Sequence, residues 1–244
     1  MSAERPAPPA GGARIEAEVL PDAEAVARRA ATLIAREARA AIGARGRFLL
    51  AASGGTTPWR MLELLADEEL PWALVHVFQV DERIVPADHP DRNFTRLRAC
   101  LLDRVPMPRG QIHAMRVEQP NLPKAAARYA AALRHAAGTP PVLDLIHLGL
   151  GTDGHTASLV PGDPALEERG SDVALTGAYR GCRRMTLTYP VLERARVILW
   201  VVTGSDKAGA LQRLLRGDRS IPAGRVPPDH ALLLADAAAM MPSP

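Results

Sequence analysis

Two spacings of apolar residues alternate along this chain. Short continuous apolar runs give way to longer segments in which apolar positions recur every three to four residues, as on one helix face. Residues 14–20 predict an opening edge strand, and 22–42 a helix with Val26, Ala30, Leu33 and Ile34 on its apolar side. Residues 48–52 predict a strand that runs into Ser53-Gly54-Gly55-Thr56-Thr57-Pro58, then a helix through Leu65. Pro58 suits that helix's first turn, where a missing amide donor costs nothing. Further strands are expected at 75–80, 142–148, 186–189, 197–202 and 231–234, and helices at 94–102, 122–137 and 206–215. Strands alternating with helices predict a three-layer α/β fold, a mainly parallel sheet with helices on both faces. Residues 162–178 read as irregular but contain no linker, so 14–244 is expected to be one domain, at most with a small subdomain. Residues 1–13, rich in Pro, Ala and Gly, are expected to be a flexible tail.

Composition narrows this only slightly. The 244 residues are 47% apolar, enough for a sizeable core. The net charge of +3 comes from basic residues spread among acidic ones. No basic stripe with interleaved aromatics marks a nucleic-acid surface. Apolar runs fall far short of the ~20 residues of a membrane helix. The N-terminus lacks the apolar core of a signal peptide, and two separated cysteines, Cys100 and Cys182, fit a reduced cytoplasmic setting. Oligomeric state is expected to be monomer or weak homodimer.

Ligands of open parallel sheets bind beyond the carboxyl ends of the strands. Three polar clusters fall there: residues 53–57, residues 81–83 (Asp81-Glu82-Arg83), and Gly149-Leu150-Gly151-Thr152-Asp153-Gly154-His155. In the first, glycines expose backbone amides, hydroxyls add donors, and the following helix turns its positive end to an anion. It has neither the P-loop nor the GxGxxG pattern. Gly149, Gly151 and Gly154 do spell GxGxxG, but Asp153 and His155 would crowd and charge a pyrophosphate site, so no nucleotide cofactor is expected. His155 is the candidate general base, because imidazole titrates near neutral pH. Asp153, Asp81 or Glu82 could orient its second nitrogen. No GxSxG elbow supports a serine nucleophile. None of the seven histidines (His76, His89, His113, His135, His147, His155 and His230) forms a local metal-ligand pair, and no metal is expected. His76 and His147 alternate within apolar strands and read as packing residues, as do Trp59, Trp72 and Trp200.

These blocks together resemble the 6-phosphogluconolactonase family of the glucosamine/galactosamine-6-phosphate isomerase superfamily. The run GLGTDGHTASLVP at 149–161 is similar to its signature. So are SGGTTP at 53–58 and DERIVPxxHxxxN at 81–93; RMTLTYPVL at 184–192 resembles its arginine-and-threonine strand, and GSDK at 204–207 its lysine segment. The matches keep their order from about residue 14 to Asp236. Thr56 and Arg92 stand where Ser is frequent in the family, and Val160 where Phe is common.

The resemblance implies a fold like that of glucosamine-6-phosphate deaminase and ribose-5-phosphate isomerase. It implies hydrolysis of 6-phospho-D-glucono-1,5-lactone to 6-phosphogluconate in the pentose phosphate pathway, with a small phosphorylated sugar lactone as partner and neither nucleic acid nor membrane. In this reading Ser53, Gly54, Gly55, Thr56 and Thr57 hold phosphate, while Arg83, Arg184 and Lys207 supply positive charge. His89 is a candidate substrate contact, and His155 activates water with Asp81 or Asp153 behind it. The sibling deaminase typically reads DGHIAFNEP where this chain has DGHTASLVP, and favours an aromatic where Arg83 stands. A sugar-phosphate-responsive regulator without catalysis is the remaining alternative.

Overall fold

In the computed structural model, residues 15–87 and 89–241 are described. The expected N-terminal tail lies outside them. The strands are β1 (Glu16–Leu20), β2 (Phe48–Ala52), β3 (Val75–Gln79), β4 (Asp81–Arg83), β5 (Ile112–His113), β6 (Leu145–Leu148), β7 (Val173–Leu175), β8 (Arg184–Leu187), β9 (Val197–Val202) and β10 (Ala231–Asp236). Seven form one parallel sheet in the order β1-β10-β9-β6-β2-β3-β5. Three form an antiparallel sheet in the order β4-β8-β7.

Strand alternation divides the core between the two faces of the large sheet. Phe48, Leu50 and Ala52 of β2 face one side, packed with Val75, Val77, Leu145 and Leu199 beneath the helices Ala23–Arg45 and Thr56–Ala66. Leu49 and Ala51 face the other, with Phe78, Ile146, Leu148, Ile198 and Trp200 beneath the helices Leu122–Ala137 and Ala208–Leu215. The three layers of the expected fold are these. The first helix forms where it does because the Asp22 carboxylate accepts from Ala25 N at 2.8 Å, closing an otherwise orphaned donor. Its buried positions Val26, Ala30, Leu33 and Ile34 are those of the expected stripe. Leu50 is wholly buried, and truncating it to Ala would cost about 2–5 kcal/mol.

Chain order sets the position of the site. From β2 the chain moves outward to β3 and β5, then returns through β6 on β2's other side and proceeds to β9 and β10. The loops after β2 and β6 therefore part in opposite directions from neighbouring strands. That leaves a crevice at their carboxyl ends, the switch point of an open parallel sheet.

Several expectations shift. Residues 184–187, rather than 186–189, form β8, and β8 belongs to the small sheet, not the large one. It stops at Leu187 because Pro190 sits in the first turn of a short helix, Tyr189–Glu193. The stretch expected to be irregular contains a 3-10 turn, Pro164–Glu167, and β7. The helix expected at 94–102 divides into α-helix Asn93–Leu97 and a π turn, Arg98–Leu102. Among the described residues, no helix is long and apolar enough to cross a membrane.

Candidate active site

The crevice between the β2 and β6 loops is a cavity of about 470 Å³. Residues 53–58 form one wall, and Gly149, Gly151 and His155 another. Asp81, Arg83 and Arg184 enter from the small sheet, Lys207 and Asp206 from the turn after β9.

The β2 loop is held from below and from the side. Ser53 N donates to Nδ1 of the buried His147 at 3.3 Å. His147 is thus more than a packing residue: burial drives its imidazole down to about 3, and the neutral ring is the acceptor the loop uses. Gly54 lies so close to Asn93 that a Cβ would fall on its side-chain amide. Asn93 in turn donates to Asp81 O at 3.1 Å and accepts from Arg83 Nη1 at 2.8 Å. The helix beginning at Thr56 points its amino end into the cavity, and Pro58 stands in its first turn as expected. Thr57 and Thr203 share a hydroxyl–hydroxyl hydrogen bond.

The β6 loop fixes His155. Gly151 N donates to His155 O at 2.8 Å, and a Cβ on Gly151 would collide with the imidazole. Asp153 Oδ1 lies 2.6 Å from His155 Nδ1 and also accepts from His155 N at 3.2 Å. Tyr179, whose ring meets the imidazole edge-on at 5.4 Å, donates its hydroxyl to Asp153 Oδ2 at 2.8 Å. Burial pushes the Asp153 carboxyl up, but the hydrogen bonds from His155 and Tyr179 outweigh it and hold it down at about 2. Asp153 is therefore a carboxylate at neutral pH. No described residue hydrogen-bonds His155 Nε2, which leaves that nitrogen for a proton in transit.

The other two carboxylates are placed elsewhere. Asp81 Oδ2 accepts from Ser158 Oγ at 2.6 Å. Glu82 is fully buried and accepts from Asn93 N, Phe94 N and Gln79 Nε2, with Arg92 Nε at 3.4 Å. Burial raises its pKa against these donors. Glu82 thus caps the start of the helix Asn93–Leu97, and Arg92, a departure from the family pattern, backs it from within the core. Of the three carboxylates that could orient His155, the geometry brings only Asp153 to it.

The cations converge on the cavity with few partners of their own. Arg83 and Arg184 are paired directly opposite in the β4–β8 register. Such residues share a face, where like charges repel. Neither forms an ion pair with a described residue, and Arg184, 7% exposed, has a buried Nε with no hydrogen-bond partner. Ser53 Oγ is a second buried orphan lining the same cavity. Buried polar atoms are rarely left so, and these two suit a ligand with anionic oxygens. Lys207 carries one contact, to Asp206 at 3.2 Å.

His89 is not brought in. It does not line the cavity, and its Nδ1 accepts from Asp91 N at 3.1 Å, shaping its own turn. Arg183 donates to Thr176 O rather than to the site. Asn93, Thr203, Tyr179 and Arg180 were not anticipated as site residues. Asn93 is the final residue of DERIVPxxHxxxN, and nothing in the sequence points to a role for it. Tyr179 and Arg180 carry no sequence pattern that marks them. Among the described residues, no group of three or more His, Cys, Asp or Glu side chains is placed to hold a metal ion.

Residues 21–235 match the family model described as glucosamine-6-phosphate isomerases/6-phosphogluconolactonase. A 6-phosphogluconolactonase of Nostoc sp. is 40% identical over 230 residues, 91% of this chain and 95% of the relative. The Homo sapiens 6-phosphogluconolactonase is 39% identical over 222 residues, 84% of this chain and 81% of the relative. The crystal structure of 6-phosphogluconolactonase from Thermotoga maritima superposes with a TM-score of 0.82 at 27% identity, covering 91% of this chain and 99% of that one. A monomeric glucosamine-6-phosphate deaminase shares the fold, with a TM-score of 0.79 at 17% identity over 92% of this chain and 98% of its own.

Proposed function

The chain belongs to the 6-phosphogluconolactonase family, and from that premise we propose that it hydrolyses 6-phospho-D-glucono-1,5-lactone to 6-phospho-D-gluconate in the pentose phosphate pathway. One observation carries the reading. The cavity into which Asp153 holds His155 also contains a glycine-rich loop at a helix amino end and a buried guanidinium whose Nε has no partner.

In this mechanism the backbone amides and hydroxyls of residues 53–57 hold the 6-phosphate at the amino end of the helix Thr56–Ala66. Arg184 and Arg83 grip anionic oxygens, Arg by a planar fork and Lys207 as a point charge. His155 Nε2 takes a proton from water as the water oxygen bonds to the lactone carbonyl carbon. Asp153 stabilises the imidazolium through Nδ1, and loop amides or a cation hold the tetrahedral oxyanion. The bond from that carbon to the ring oxygen then breaks. The imidazolium returns its proton to the ring oxygen, which becomes a hydroxyl, and the new carboxylic acid releases a proton to solvent.

The test is turnover of freshly made lactone, corrected for spontaneous ring opening, with glucosamine 6-phosphate assayed in parallel. Lactone loss above background without ammonia release is expected, and activity should survive prolonged EDTA. Ammonia release would transfer the chain to deaminase chemistry. Tight binding of gluconate 6-phosphate without turnover of either substrate would make it a regulator. The free thiols of Cys100 and Cys182 support a reducing, cytoplasmic setting. The chain is read as a monomer or weak homodimer, which sedimentation checks.

A further inference from the structure

We propose that Tyr179 is a positioning residue for His155, acting through Asp153, so that the β7–β8 hairpin tunes the base of the reaction. The proposal rests on the hydrolase reading above for its kinetic part alone.

Tyr179 reaches the site from outside the parallel sheet. Tyr179 N donates to Cys182 O at 2.9 Å and Cys182 N returns a weaker bond at 3.4 Å, closing a two-residue turn. Arg180 and Gly181 both lie in the left-handed region, with φ of 50° and 85°, as such hairpin turns require. Arg180 lines the cavity, and the guanidinium carbons of Arg180 and Arg184 stand 5.3 and 5.0 Å from the Tyr179 ring centre. The hairpin thus delivers a phenol to Asp153 and two cations to the same wall.

The three groups form a chain. The Tyr179 hydroxyl donates to Asp153 Oδ2, and Asp153 Oδ1 faces His155 Nδ1. Each carboxylate oxygen has its own partner, so the carboxylate cannot rotate without losing one. Burial first, and the bond to the carboxylate second, push the Tyr179 phenol up, which keeps it a donor through the neutral range. The Tyr O–H also draws charge from the carboxylate and so moderates its hold on a protonated imidazole. The other groups around His155 are Arg180 and Arg184 from the hairpin, Asp206 and Lys207 after β9, and Asp81 and Arg83 of β4. Behind Gly154 lies the apolar side chain of Ile221.

Tyr179→Phe keeps the ring and removes only the hydroxyl. With the carboxylate charge no longer divided, His155 releases its proton at higher pH. The acidic limb of the kcat/KM profile is therefore expected to rise by about half a pH unit, a modest shift against those charged neighbours produce. With one anchor of Asp153 gone, kcat is expected to fall about tenfold, part of what a general base contributes, while KM stays within about twofold. In the resting protein, the proton resonance of His155 Nδ1–H should move downfield as Asp153 becomes the stronger acceptor. Tyr179→Ala removes the platform beside Arg184 as well and should also raise KM. A silent Tyr179→Phe beside an impaired Tyr179→Ala would reduce Tyr179 to packing and overturn the proposal. So would a Tyr179→Phe that changes KM alone with the resonance unmoved. Should the wild-type protein fail to open the lactone, the hydrolase reading falls, and the resonance still decides whether Tyr179 acts on His155.

Discussion

The seven-stranded parallel sheet and the three-stranded antiparallel sheet build the site by different means. The parallel sheet supplies two loops whose conformations are dictated locally. Glycines at 54 and 151 admit Asn93 and His155 at distances that any side chain would forbid. The small sheet supplies side chains on strands of three or four residues, and their placement comes from pairing over long sequence separations. Asp81 sits opposite Thr186, and Arg83 opposite Arg184. The difference teaches that chemistry and grip are separable here. The proposed base and its carboxylate share one seven-residue loop, whereas the strongest candidate anion ligand sits on another sheet.

The most direct way to break that division is His155→Ala. Its kcat should fall about a thousandfold, within the range of a lost general base, with folding and product binding kept. Near-normal turnover would move the chemistry out of the parallel-sheet loop. Next, Asp153→Asn should lower kcat about a hundredfold, and Asp81→Asn less than about tenfold, because only Asp153 touches the base. Equal losses in steady-state rates would erase the distinction between the sheets. Arg184→Met should raise KM about tenfold or more, as for a charge-assisted hydrogen bond, with a smaller change in kcat; the same assay on Lys207→Met should give a milder rise.

The last prediction concerns stability rather than rate. Burial lowers His147 to about 3 and His113 to about 4 from an ordinary 6.5. Both stay neutral in the folded protein while their unfolded counterparts take up protons. The unfolded state therefore binds more protons below pH 6.5. Stability should decline from there toward pH 4, by up to about 1.4 kcal/mol per pH unit for each such histidine. Urea midpoints across this range would check it. His147→Gln, whose amide oxygen can still accept from Ser53 N, should flatten the slope, and an unchanged slope would remove His147 as its source.

The same contrast explains what was legible in the chain. The strands 48–52 and 197–202 and the helix 122–137 were readable to the residue, because continuous apolar runs and a 3.6-residue stripe are local patterns. The loops beyond them were readable as glycine-rich polar loops at strand ends for the same reason. The small sheet was not. β4 is Asp-Glu-Arg, with no apolar alternation, and only its pairing with β8 makes it a strand. Glu82 looked like a functional acid beside Asp81, but full burial and backbone donors make it a helix cap. His89 lay in a matching motif, yet its ring serves its own turn. Tyr179 had no pattern at all, since a hydroxyl reaching across 26 residues of sequence to Asp153 leaves no periodic trace.

The register that sets Arg83 against Arg184 has one more consequence. Two like charges sit opposite each other in neighbouring strands, an arrangement that disfavours the empty folded protein. An anion bound between them, as in the proposed mechanism, would relieve that repulsion. Because the unfolded chain has no such pocket, mass action turns occupancy into resistance to heat and protease. If an anion binds there, it stabilises the protein that holds it, and replacing either arginine with a neutral side chain should harden the empty protein while uncoupling its durability from that anion.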